Sequence, residues 1–140
     1  MWQKDFNTRL SSWAELRLLA QSQNLSECLV TINQWWQETP WVPYYLHWDD
    51  VDQWPDPWQI LADNTYCDVV KSLGICYTII MLNRNDHGPV ELVQTHDGHT
   101  LAYLPKEKYL LNMDGEFVVN TEPTNITRRL TQDQISKRCN

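Results

Sequence analysis

The chain has 140 residues, a formal net charge of −7 and four cysteines. That length suits one domain burying about two-thirds of its unfolded surface, and the acidic balance argues against nucleic-acid binding, which needs clustered Lys and Arg on phosphate. The longest apolar run, Ile75 to Leu82, is too short to span a bilayer.

The N-terminus MWQKDFNTRL lacks the apolar core of a signal peptide, so the chain is not expected to be secreted. Cys28, Cys67, Cys76 and Cys139 show no CxxC spacing and read as reduced thiols.

All eight tryptophans fall within the first 58 residues. An indole is large and costs little side-chain entropy to fix, so it suits docking surfaces as well as cores. Residues 8–22 read as an amphipathic helix, with Leu10, Trp13, Leu16, Leu19 and Ala20 at helical spacing. A second helix is predicted over 26–38, capped by Ser26, lined by Leu29, Ile32 and Trp36, and stopped by Pro40. The segment PWVPYYLHWDDVDQWPD, residues 40–56, has too many prolines for a regular element. It is predicted to be an irregular arm pinned by its aromatics.

Asp56-Pro57 is expected to open a third helix, with Asp as N-cap and Pro in the first turn, running to a left-handed stop at Gly74. Trp58, Leu61, Thr65, Val69 and Leu73 would line one face. The β-branched and aromatic run Cys76–Leu82 reads as a buried strand. Two Asp-Gly pairs then signal hairpins: Asp97-Gly98 joins strands 90–96 and 99–104, and Asp114-Gly115 joins 109–113 and 116–120. With the short link 105–108 between them, the sheet should be an antiparallel meander. Residues 121–140 are a polar tail, where Thr131 and Gln134 can cap one short helix. The expected fold is a single α+β domain over 1–120, N-terminal helices packed against a C-terminal antiparallel β-meander.

One arrangement carries chemistry. Cys67, His99 and Asn112 follow the chain order of a thiol nucleophile, an imidazole base and an orienting amide. Pairing across 105–108 sets Leu101 opposite Asn112, which places His99 diagonally from Asn112 on one face of the sheet. Against it, Cys67 would lie in the third turn of a continuous helix 57–73, away from the N–H groups that lower a thiol pKa. Only a break at Asp63-Asn64 would allow a new helix to begin near the cysteine. His96, Asp97 and His99 lack a further metal ligand, and Asp49-Asp50-Val51-Asp52 lacks the pattern of a calcium loop. No metal or cofactor is expected.

The residues WPDPWQILADNTYC (54–67), LGICYT (73–78) and KYLLN (108–112) resemble small Trp-rich proteins of T4-like tailed phages, notably phages of marine cyanobacteria. That resemblance implies a viral protein, made in the host cytoplasm and carried into the virion as a tail, baseplate or neck component. Its partners would be other proteins of a multiprotein assembly, met through Trp41, Tyr44, Tyr45, Trp48 and Trp54, with no membrane or nucleic acid involved. Cys67, His99 and Asn112 also resemble the transglutaminase-like and papain-like superfamily, without its His-Ala-Trp context. That second likeness implies a cysteine hydrolase or acyltransferase.

Overall fold

The computed structural model describes residues 2–3, 5–42, 46–113 and 118–139. Tyr44, Tyr45 and the Asp114-Gly115 turn lie outside the described residues. The first helix, α1, spans Phe6–Ser22, where the Asp5 side chain accepts from the Thr8 N–H and caps it. Its buried side is Arg9, Trp13, Leu16 and Ala20, whereas Leu19, expected on that stripe, is exposed. The second, α2, spans Leu25–Gln37 with Asn24 rather than Ser26 as its cap, and buries Leu29, Ile32 and Trp36 as predicted.

Among its described residues the arm is irregular apart from one 3-10 segment, Trp48–Gln53. It folds onto itself: Trp54 is buried, donates to the His47 carbonyl at 2.9 Å and packs edge-on against Trp48.

Helix α3, Pro57–Asp63, starts as expected, with Asp56 accepting from the Gln59 N–H at 2.8 Å. It does not run on to Gly74. Asn64 takes a left-handed conformation (φ 55°) and ends it, a role that suits Asn because its short amide tolerates that region. Helix α4 then spans Asp68–Leu82, so the run read as a strand over Cys76–Leu82 is helical.

Two physical facts explain the correction. A short apolar run cannot be told apart as strand or buried helix by periodicity, and α4 is wrapped nearly all round by α1, α2, α3 and the sheet. Gly74 is therefore not a stop. It sits mid-helix where a Cβ would lie 2.4 Å from the Trp36 ring, so its absent side chain makes room for an indole. Thr78, one turn on, receives both buried indole N–H groups: Trp13 at 3.0 Å and Trp36 at 3.1 Å.

Strands β1 (Glu91–Thr95), β2 (Thr100–Leu104), β3 (Tyr109–Leu111), β4 (Val119–Asn120) and β5 (Ile126–Leu130) form one antiparallel sheet in the order β4-β3-β2-β1-β5. Leu92, Ala102, Leu104 and Leu111 belong to the core shared with the helices, while Val93, Leu101, Tyr103 and Leu110 make a smaller cluster of their own. The meander is as expected, and Ala102 opposite Leu111 continues the predicted pairing of Leu101 with Asn112.

Residues read as a tail supply β5 beside β1. They also form a last helix, α5 (Gln132–Ser136), capped by the predicted Thr131–Gln134 box and anchored by buried Ile135. Among the described residues, no helix is long and apolar enough to cross a membrane.

Candidate functional site

The break at Asn64 has a consequence for the cysteine. Cys67 is the N-cap of α4 and Asp68 its first helical residue, so both stand where free backbone N–H groups gather. Tyr66 pairs with Trp41 in an isolated parallel bridge, and Val42 N–H donates to the Tyr66 carbonyl at 3.3 Å, fixing the entry to the helix. The objection to a catalytic cysteine inside a continuous helix thus disappears. The helix does restart, and it is 15 residues long rather than ending at Gly74.

The side chains part company at this point. Asp68 faces the sheet: Oδ2 accepts from the Thr100 N–H at 2.6 Å and lies 3.4 Å from His99 Nδ1. Cys67 is 3% exposed and belongs to the helical core cluster. Burial pushes its thiol pKa up, and the nearby backbone N–H groups of Val70, Val69 and Leu46 offset part of that shift. No hydrogen bond joins Cys67 to His99 among the described residues.

His99 and Asn112 are brought together, as the register required. His99 follows the Asp97-Gly98 turn, in which Asp97 Oδ1 accepts from the His99 N–H at 3.2 Å and Gly98 takes the positive φ of 86°. Its Nε2 lies 2.7 Å from the main-chain carbonyl oxygen of Asn112, not from the side-chain amide. A carbonyl only accepts, so that ring nitrogen carries a proton. Nδ1 faces the Asp68 carboxylate. Desolvation pushes the Asp68 carboxyl pKa up, against the opposing pull of the Thr100 N–H and His99.

Asn112 is the hub. At φ 68° its side chain turns back toward α4. Its Nδ2 lies 3.0 Å from Asp68 Oδ1, 2.7 Å from Ser72 Oγ and 3.1 Å from the Thr100 carbonyl, while Oδ1 accepts from Gln37 Nε2 at 2.6 Å. Its N–H donates to the Asn33 amide at 2.9 Å. Asn112 therefore ties β3 to α2 and α4 and seats the carboxylate, instead of orienting the imidazole through its amide.

An open cleft of about 820 Å³ adjoins this pair. Asp68 and His99 line it together with Trp41, Leu101, Leu110 and Glu122, and Cys67 does not. Trp41 is 60% exposed, whereas Trp48 is half-buried and Trp54 turned inward, so the indole that the arm presents outward is at this cleft. The residue that sequence reading missed is Asp68. The signal was available in its place immediately after Cys67, but only the helix start shows which of the two faces the imidazole.

No protein-family model matches the chain, and no curated protein matches it. Solved structures do. The calcium-bound form of LapG from Legionella pneumophila superposes with a TM-score of 0.67 at 13% identity, covering 90% of this chain and 75% of that one. The EGTA-treated form gives 0.66 at 13%, covering 89% and 72%. This chain shares the fold of LapG. The fold fits the likeness carried by Cys67, His99 and Asn112; the phage-protein resemblance finds no support in these bacterial structures.

Calcium needs six to eight oxygen ligands, yet among the described residues no three His, Cys, Asp or Glu side chains converge to hold a metal. The Asp68 oxygens are already engaged by Thr100, His99 and Asn112.

Proposed function

We propose that this chain is a transglutaminase-like domain that holds a peptide-like segment in the His99 cleft, with a carboxylate instead of a thiol against the imidazole. The observation that carries the reading is that Asp68 contacts His99 and lines the cleft while Cys67 is buried beside it. Carboxylate nucleophiles serve at glycosyl and phosphoryl centres. On an amide, attack would leave a mixed anhydride, so the Asp68–His99 pair favours retention of a ligand over acyl transfer. This binding role keeps the docking character expected from the tryptophans.

A second reading is favoured by one observation, the place of Cys67 as N-cap of α4, beside the free N–H groups of the helix start. Such groups at a helix N-terminus stabilise a thiolate. A cysteine hydrolase or acyltransferase would then use Cys67 to attack the acyl carbon. His99 would take the thiol proton and pass it to the departing amine, and water or an acceptor amine would release the acyl group. Asn112 would hold the site together.

Alkylation with iodoacetamide separates the two. On the binding reading, Cys67 is labelled slowly at neutral pH and does not respond to His99→Ala. Its raised pKa leaves little thiolate there, and the rate climbs as pH rises through and beyond the ordinary thiol range. Rapid Cys67 labelling at pH 7 that is lost in His99→Ala would establish the enzyme reading instead.

A further inference from the structure

The walls of the cleft carry charge of one sign. Asp68 stands at its inner end, and Asp97 and Glu122 come from the β1–β2 turn and the segment between β4 and β5. Among the described residues, no Lys or Arg lines it. The buried Lys71 acts on Asp68 while its ammonium donates to the Thr39 carbonyl at 3.0 Å, and Lys108 lies 3.4 Å from Glu122. The Lys108 and Glu122 side chains are both more than 60% exposed, so that pair yields readily to a better partner. Between the carboxylates lie the apolar side chains of Leu101 and Leu110 and the exposed face of Trp41. An indole face beside carboxylates attracts an ammonium or guanidinium by its quadrupole, and a long aliphatic stem can lie along the apolar floor.

Resting on the reading that the cleft holds a peptide-like segment, we propose that its ligand is an extended segment bearing lysine or arginine, whose cationic heads meet Asp97 and Glu122 and whose stem crosses Trp41. Charge sets the ligand class, and the apolar floor sets its extended form.

The test uses the full chain and three fluorescein-labelled octapeptides, alternating alanine with lysine, with glutamine or with glutamate, followed by anisotropy at about 50 and about 300 mM salt. The lysine peptide is expected to bind at least tenfold more tightly than the glutamine peptide at low salt, and the glutamate peptide not to bind. Because any acidic protein attracts a cationic peptide, the position of binding is tested with variants matched in charge. Asp97→Asn/Glu122→Gln should weaken the lysine peptide about tenfold. Glu15→Gln/Asp50→Asn, which removes two exposed charges elsewhere, should change it less than twofold. Trp41→Ala, at an exposed side chain that folding does not need, should weaken it about fivefold.

Equal loss in both double variants would overturn the proposal in favour of diffuse attraction. Equal binding of the lysine and glutamine peptides, still sensitive to Trp41→Ala, would overturn the charge class and leave the peptide-binding reading standing. Failure of all three peptides would remove both.

Discussion

The two ends of α4 are held by opposite kinds of contact. Its body is gripped by aromatic rings: Trp36 fills the space above Gly74, and Trp13 and Trp36 both donate to Thr78. Its N-terminus is held by a polar network in which the Asn112 amide reaches Asp68, Ser72 and the Thr100 carbonyl. Each end converges on one small polar side chain. The body is closed to water, so every donor there must be met within the protein. The N-terminal network is open on one side, where Asp68 and His99 remain about a third exposed. That difference teaches where a ligand can act: burial rigidifies the first hub, and partial exposure leaves the second with capacity for a partner.

The sharpest way to break the comparison is at Gly74. Gly74→Val would drive side-chain atoms into the Trp36 ring and should cost about 3 kcal/mol or more in a denaturant melt. Gly74→Ala should lose much of the same stability, because the Cβ is already in conflict. A neutral Gly74→Ala would show that Trp36 does not sit against the helix. Thr78→Val comes next. It keeps the shape but leaves two buried indole N–H groups without an acceptor, for a loss of about 2–4 kcal/mol by the same measurement. Little change there would mean that the indoles find other partners.

At the open end the expected effect is smaller. Asn112→Ala removes the hub and places alanine at φ 68°, which should cost about 2 kcal/mol. Hydrogen exchange should rise at the Thr100 amide, whose acceptor Asp68 is no longer held by the Asn112 side chain, while the amides around Thr78 stay protected. Equal loosening at both ends would merge the two regions into one cooperative unit and remove the contrast. Least of all, Asp56→Ala should cost about 1 kcal/mol, by leaving the Gln59 N–H without its cap, and should leave both hubs intact.

Much of the frame was legible in the chain because it rests on local chemistry. Asp56-Pro57 opens a helix, Thr131 and Gln134 cap another, and Asp97-Gly98 turns a hairpin. In each case a few adjacent residues satisfy their own backbone groups. The same locality made the meeting of His99 with Asn112 readable, since strand pairing has a period of two and a short link sets the register. What the sequence left open was decided at long range. Cys76–Leu82 is helical because helices and sheet surround it on all sides, and burial on every face erases the periodicity that would mark a helix. Gly74 lies mid-helix because Trp36, 38 positions away, needs its missing side chain. Asp68 rather than Cys67 meets His99 because α4 begins at Asp68. A helix advances its side chains by about 100° per residue, so neighbours at its start point in different directions, and only the packed structure selects which one faces the cleft.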